Sequence, residues 1–519
     1  MKKIICVLLS VSVLVGLLGG CSQQTDESHV PTGDGLTWEE DYIGQPIQKP
    51  QDDDIRALTL TWYPDRSMNP YISTDFTNRA LFNLLYQGLF AVNREYTVSP
   101  MLCKQYRVSE DMKTYTFYLE SATFADGSVL TAQDVVASLT AAKDSAFYKG
   151  RFLHVTQIIA EADGGVTVQL DTAYENLPVL LDVPIVKEGH AAEPFPMGTG
   201  PYTVEQLTDG IRLRQRDNWW CKANLIVKAP SIAMVAAQSS SQIRDTFEQD
   251  NLPDLGLVCA DPGSDLYADF RCDYELWDCE NGIFLYLACN MDSEVFSIPE
   301  VRSALTYAID RDTLAEEHYR GFARSATLPA SPLFPYYSSS LAEKYKYDGV
   351  KFAQAVNDAM LQDKPIKLLV NGGDSLRRRV ARDIGKMLSD CGLAVEIKEL
   401  SGSSYTYALQ TRDYDLYLGQ TKLSSNMDLT AFFSNSGALS YGGINDVSLY
   451  ALCMESLVNH GNYFTLHQRV AEDGRLVPIL FRSYAIYATR GLLSDLTPAR
   501  DSVFYYDLGR TMDSARITN

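Results

Sequence analysis

The chain has 519 residues, a formal charge of −21 and no basic stripe beyond the run "SLRRRVARD" at Ser375–Asp383, which reads as the solvated face of a helix. That balance argues against a nucleic-acid partner, since phosphate contacts need clustered Lys and Arg. The length beyond position 54 exceeds what one hydrophobic core serves, so two or more lobes are expected.

At the start, Lys2 and Lys3 precede an apolar run from Ile4 to Leu18 and then Gly19, Gly20 and Cys21, the pattern of an export signal over residues 1–20. The run is short for a membrane span, and polar chain follows it. "LLGGC" resembles the lipobox of bacterial lipoproteins, which implies that Cys21 becomes a lipid-bearing N-terminus held by two or three acyl chains. Residues 21–54 are acidic, broken by Pro and Gly and poor in apolar side chains. They read as a flexible tether with a reach of roughly 30 Å.

From Thr114 to Leu139 three devices follow one another. Tyr115, Phe117 and Leu119 alternate with polar neighbours as a half-buried strand requires. Asp126-Gly127 supplies a tight turn. Thr131 and Asp134 make a capping-box pattern ahead of Val135, Val136 and Leu139, so a helix is expected from residue 132. "GTGPY" at Gly198 reads as a tight turn into a strand over Tyr202–Gln206, because Pro201 and the missing third Gly rule out a dinucleotide fingerprint. In "SIPEVRSALTYAIDRDTL", Ser297 and Glu300 suggest a second capping box, Pro299 suits a first turn, and Val301, Leu305, Ala308 and Ile309 form an apolar stripe.

Catalytic signatures are missing. No G-x-S-x-G elbow or Walker loop occurs, and even His460 and His467 are seven residues apart, which is not metal-ligand spacing. Neither catalytic residue, metal nor cofactor is expected. Asp413 and Asp415 in "RDYDLYLG" keep a secreted hydrolase with paired carboxylates as a remote alternative, although the same residues suit a strand entry. Past Cys6 and Cys21, the cysteines Cys103, Cys221, Cys259, Cys272, Cys279, Cys289, Cys391 and Cys453 are scattered singly and read as buried thiols. A Cys272–Cys279 bridge is left open.

Together the segments resemble the family 5 extracellular solute-binding proteins, the large dipeptide, oligopeptide and nickel receptors of ABC importers. The resemblance rests on "KTYTFYL" with "FADGSVLTAQDVVASL", on "LTLTWYPDRSMNPY" as first strand and loop, and on "ALFNLLYQGLF" as first helix. It continues with "GTGPYTV" as return strand, with "FLYLACNM" and "PEVRSALTYAIDRDTL" opening a second lobe, and with "RRRVARDIGKMLSDCGLAVEIKEL" and "DYDLYLG". It implies an α/β protein with the two-lobe periplasmic-binding-protein-like fold of type II, carrying an extra subdomain in the first lobe. The bounds it implies are 55–72, 197–275 and 476–519 for lobe I, 73–196 for its subdomain and 276–475 for lobe II.

The function implied is a non-enzymatic, lipid-anchored receptor outside the cytoplasm of a bacterial cell, monomeric, which captures peptides and delivers them to ABC permease subunits. Alternatives are a receptor for another solute, such as a metal chelate or sugar, and a peptide sensor. The 31 Tyr suit such binding, each giving apolar area and one hydroxyl. Tyr63, Asp65 and Arg66 are expected to face the cleft from lobe I, and Gly419, Gln420, Thr421 and Lys422 from lobe II. Peptide-binding members tend to carry Gly-Trp followed by an Asp that takes the ligand's α-ammonium, whereas this chain reads "GQTKLSSNMDL". Asp428 is the nearby acid. It is the candidate for that contact, with capping of the helix "LTAFF" as its other role.

Overall fold

A computed structural model describes residues 58–225, 227–239, 241–243, 245, 255–260, 274–489, 496–500, 502–506 and 508–517. The export signal, Cys21, the tether and Cys272 lie outside the described residues, and with Cys272 the question of its bridge to Cys279.

In chain order the strands begin with β1 (Leu58–Trp62), β2 (Phe90–Val92), β3 (Val98–Pro100), β4 (Cys103–Val108), β5 (Thr114–Leu119), β6 (Val155–Ala160) and β7 (Val166–Leu170). There follow β8 (Tyr202–Leu207), β9 (Gly210–Gln215), β10 (Ser231–Ala236), β11 (Leu255–Ala260) and β12 (Tyr274–Cys289). The last are β13 (Ala323–Ser325), β14 (Pro365–Asn371), β15 (Ala394–Leu400), β16 (Leu416–Lys422) and β17 (Leu476–Thr489). One sheet of 11 strands runs through both lobes in the order β15-β14-β16-β12-β17-β11-β1-β10-β9-β8, with β13 pairing β17 off that path.

The alternating "LTLTW" of β1 would suit a sheet with one wet face, yet all five residues are buried. The reason is position, since β1 lies between the parallel neighbours β10 and β11, where both faces are covered.

Two strands are far longer than the rest and join the lobes. β12 has 16 residues and β17 has 14, paired antiparallel. Tyr274–Glu280 pairs with Thr489–Ser483, and Phe284–Ala288 pairs with Phe481–Leu476. Between the two stretches the register shifts across Asn281–Ile283, where Gly282 has φ +66°. A bulge with a left-handed glycine bends a strand at that point. Its place between the two paired stretches suits it to serve as a hinge.

The inserted region carries the hairpin β2-β3 and a four-stranded sheet β4-β5-β7-β6. Here the local expectations hold. β5 spans Thr114–Leu119, Gly127 takes φ +85°, and the Asp126 carboxylate accepts from the Ser128 amide at 3.0 Å. Thr131 caps the helix Ala132–Asp144 in a complete capping box with Asp134, and Val135 and Leu139 are fully buried.

Two expectations fail locally. "ALFNLLYQGLF" does not make one helix but a single turn at Phe82–Leu85 before β2 begins at Phe90. The Leu85 carbonyl, which an α-helix would offer four residues on, instead accepts from the Gly200 amide at 2.9 Å. "GTG" serves this contact, since a Cβ on Gly198 or Gly200 would sit within 2.4 Å of Leu85 backbone atoms. The second capping box is also not formed. The helix Pro299–Ala304 has Ile298 as N-cap with no side-chain bond, because the Ser297 amide is still turned onto Ser293 O at 2.9 Å. Pro299 does occupy the first turn, and all four stripe residues are fully buried. Among the described residues no helix is long and apolar enough to cross a membrane.

Candidate functional site

A cleft of ≈ 670 Å³ opens where the two crossing strands pass between the lobes. Its floor is Ile283 of β12 and Tyr484 of β17. The side of lobe I, its inserted region included, supplies Thr74, Phe76, Arg79 and Phe147, and lobe II supplies Gln420, Thr421 and Lys422 from the end of β16. Pairing explains the lobe II wall, because antiparallel register sets Lys422 opposite Ile283 and Gln420 opposite Leu285, which brings the strand end to the hinge.

The lobe I wall is held by a short capped turn. Asp75 caps Phe76–Arg79 by accepting from the Asn78 amide, and its carboxylate pairs with Arg66. Asn78, fully buried, accepts from the Tyr63 amide at 2.8 Å and donates to the carbonyls of Tyr63 and Arg66 at 3.0 Å. Phe76 stacks on Tyr484 with ring centres 3.4 Å apart. Arg79 reaches back to the Pro70 and Ser73 carbonyls at 3.0 and 2.9 Å and to the Tyr148 hydroxyl at 2.7 Å. Its guanidinium carbon lies 3.3 Å from the centre of the Phe147 ring, and Lys422 Nζ lies 5.1 Å from the same centre.

The residues singled out from sequence separate into three places. Gln420, Thr421 and Lys422 come together on the cleft, and Gln420 Oε1 accepts from Arg482 at 3.1 Å. Gly419 lies one residue behind them, buried, where any Cβ would enter the Tyr286 ring at 2.3 Å. Tyr63, Asp65 and Arg66 are not among the cleft-lining residues. The Arg66 guanidinium folds over the Tyr63 ring at 3.9 Å, Asp65 is exposed, and burial pushes the Tyr63 phenol up. This loop backs the wall that Phe76 and Arg79 form.

Asp428 lines a separate hollow of ≈ 260 Å³ with Arg151, His154 and Tyr174. Its carboxylate accepts from the Thr430 amide at 2.8 Å and the Thr430 hydroxyl at 3.0 Å, at the entry to the turn Thr430–Phe433. Burial raises its pKa against those two bonds.

Thr74, Phe76, Arg79, Phe147, Ile283 and Tyr484 were not foreseen. An Asp directly before "FTNR" was a readable cap signal for the first three. Nothing local marks Phe147, which a distant segment delivers. Past Arg79 and Phe147 lies a second hollow of ≈ 720 Å³, bounded also by the Arg151–Asp182 ion pair, Arg500 and Tyr505.

Beside the cleft the lobes touch. Asn426 donates to the Tyr174 hydroxyl at 2.6 Å, the Glu175 amide donates to Leu457 O at 2.9 Å, and the His460 amide donates to the Glu175 carboxylate at 3.1 Å. At the hinge the Tyr96 hydroxyl donates to the buried Glu280 carboxylate at 2.8 Å, and burial raises the Glu280 pKa. Arg500 donates to Ser425 Oγ at 2.8 Å and to the Leu423 carbonyl.

Asp413 and Asp415 do not face the cleft. Asp415 accepts from Ser293 Oγ at 2.5 Å and the Lys367 amide at 2.8 Å, and Asp413 pairs with Lys367 and Lys398, so both tie strand entries together. Among the described residues one group has metal-ligating geometry, Glu317, His318 and Asp383 on two lobe II helices, with ligand atoms within 4.8 Å. It lies outside the cleft lining, and His318 and Asp383 already bond each other at 2.6 Å.

The family described as bacterial extracellular solute-binding proteins, family 5, matches over residues 97–440. The chain is 27% identical over 311 residues to the glutathione-binding protein GsiB of Escherichia coli K12. That match takes in 56% of this chain and 59% of the relative, so the likeness spans less than two thirds of the relative's length. NikA from Brucella suis, solved with Fe(III)-EDTA, superposes with a TM-score of 0.70 at 18% identity, covering 86% of this chain and 98% of that one. The oligopeptide-binding protein AppA from Bacillus subtilis, solved with a nonapeptide, gives 0.60 at 19% identity, covering 86% and 97%. These likenesses show the two-lobe α/β fold.

Proposed function

Because this chain belongs to the bacterial extracellular solute-binding proteins of family 5, we propose that it captures a small solute between its lobes, outside the cytoplasm, and hands it to the permease of an ABC importer. The carrying observation is the cleft itself, floored by the two strands that cross between lobes and walled from both sides. A solute there touches both bodies only when they are together. Only such differential contact can shift an equilibrium toward closure. Closure then forms a surface that a permease distinguishes from the open receptor.

Peptides are the solute class favoured by the relatives, since GsiB is named for glutathione and AppA of Bacillus subtilis was solved with a nonapeptide. A metal chelate is the second reading, favoured by the Fe(III)-EDTA bound to NikA. In this proposal Gln420, Thr421 and Lys422 meet the solute, while Tyr63, Asp65 and Arg66 support the opposite wall and Gly419 gives Tyr286 its space. Asp428, in its own hollow, anchors the turn at Thr430 in this proposal and does not meet the solute. The receptor acts without turnover, and lipid on Cys21 keeps it beside the permease.

Native mass spectrometry of protein purified from its host tests this reading. One intact solute per chain, released unchanged on denaturation, is expected, together with loss of uptake of that solute in cells lacking the protein. Turnover of peptides or glycosides by the purified protein would favour the hydrolase instead. Palmitate incorporation that persists in Cys21→Ser would refute the anchor.

A further inference from the structure

Beside the two crossing strands, the inserted region makes a third connection between the lobes. Tyr96, at the tip of the β2-β3 hairpin, is buried in a cluster whose other members all lie between Phe284 and Phe481, an apolar core on the lobe II side of the bulge. Its ring meets Phe334 edge-on with centres 6.1 Å apart. Its hydroxyl donates at 2.8 Å to the carboxylate of Glu280, one residue before the bulge at 281–283.

The turn itself aims that ring. Asn93 Oδ1 accepts from the Glu95 amide at 3.0 Å, the Thr97 amide at 2.9 Å and the Thr97 hydroxyl at 2.8 Å, and Tyr96 between them takes φ +59°. A left-handed tyrosine is strained, and such strain persists only where surrounding contacts impose it. A second tie comes from Arg94, whose guanidinium lies 3.2 Å from the Asp278 carboxylate that Arg324 of β13 also reaches at 2.9 Å.

The contacts between the lobes differ in what it costs to break them. At the rim, parting Asn426 from Tyr174 exchanges one hydrogen bond for bonds to water. Withdrawing Tyr96 would instead open a ring-sized cavity in the lobe II core and take from the buried Glu280 carboxylate its nearest donor among the described residues, since Ser331 Oγ stands at 3.4 Å and Arg324 Nε at 3.9 Å. The rim contact is therefore the one that parts.

Deepening the receptor reading above, on whose lobe motion it rests, we infer that Tyr96 is a fixed pivot, seated in lobe II whether the cleft is open or closed. Together with the bulge at 281–283 it gives the lobes two points to turn about, which confines them to one axis and brings the walls back to the same register at each closure. A contact kept in both states cancels from the closure equilibrium. Tyr96 therefore serves the stability of the joint and leaves the affinity for solute untouched.

Hydroxyl-radical footprinting of the wild-type protein, freed of solute and then refilled with the solute purified from its host, reads this side chain by side chain. Tyr174 should be labelled in the solute-free protein and at least threefold less once refilled, whereas Tyr96 should stay unlabelled in both. Tyr96→Phe should lower the melting temperature and keep solute affinity within twofold of wild type, in contrast to Tyr174→Phe. Labelling of Tyr96 as strong as that of Tyr174 in the solute-free protein, or an affinity loss in Tyr96→Phe as large as in Tyr174→Phe, would overturn the pivot in favour of a latch that withdraws, while leaving the receptor standing. Labelling of Tyr174 that does not respond to solute would instead strike the lobe motion, and the receptor reading with it.

Discussion

Asn426 of lobe II donates a 2.6 Å hydrogen bond to the hydroxyl of Tyr174, which belongs to the region inserted into lobe I. Both residues are buried, and the bond exists only while the lobes are together. It therefore biases the open–closed equilibrium. Tyr174→Phe removes the acceptor and should shift that equilibrium by about 1 kcal/mol, the usual net worth of one hydrogen bond. Solute affinity should fall about fivefold, and small-angle scattering of the free protein should give a larger radius of gyration. An unchanged radius together with unchanged affinity would mean that the bond does not bias closure.

Gly282 is the hinge residue whose replacement should be costliest. Its φ is +66°, and a Cβ would meet Arg500 Nη2 at 2.4 Å. Gly282→Ala adds left-handed strain of about 1–2 kcal/mol and displaces a guanidinium that holds the Leu423 carbonyl and Ser425. Denaturant unfolding should show a total loss of roughly 2–4 kcal/mol. A loss below 1 kcal/mol would show that the hinge relaxes freely around a methyl group.

His467 gives a pH dependence with a defined sign. It is fully buried, both ring nitrogens lack hydrogen-bond partners among the described residues, and burial depresses its pKa to about 3. The unfolded chain takes up a proton below about pH 6.5 while the folded chain does not, so stability present above that pH is lost as pH falls toward 3. The loss approaches 1.4 kcal/mol per pH unit over that window. His467→Leu should flatten the acid limb of a stability–pH curve and match wild type near pH 8. Parallel acid limbs would contradict this account of the residue.

Asp428→Asn separates a turn anchor from a charge partner. An Asn oxygen can still accept from Thr430, so stability should stay within about 0.5 kcal/mol of wild type. Since Asp428 lines a different hollow from Lys422, affinity for a free-amine solute should also stay the same. A loss of roughly 2–5 kcal/mol in titration would restore Asp428 as the ammonium partner.

The legible parts of the fold were those in which sequence neighbours do the work. The Thr131–Asp134 box, the Asp126-Gly127 turn and the stripe through Val301 and Ile309 are local and were readable. The single helix expected around Phe82 failed because its decisive bond runs from Gly200 to Leu85, which no window of neighbours contains. The site follows the same division. Gln420 to Lys422 were readable as the end of a strand, whereas Arg79, Phe147 and Tyr484 meet only through the crossing strands and the inserted region. Likewise, Glu317, His318 and Asp383 come together from two helices with no spacing that announces a metal site.

Hydrogen exchange read by mass spectrometry, with and without the host-purified solute, tests closure over the cleft most directly. The account predicts protection in both walls at once, over 74–79 of lobe I and 420–422 of lobe II, with a further change across the hinge at 281–283. Protection confined to one lobe, or placed away from both walls, would contradict capture between the lobes.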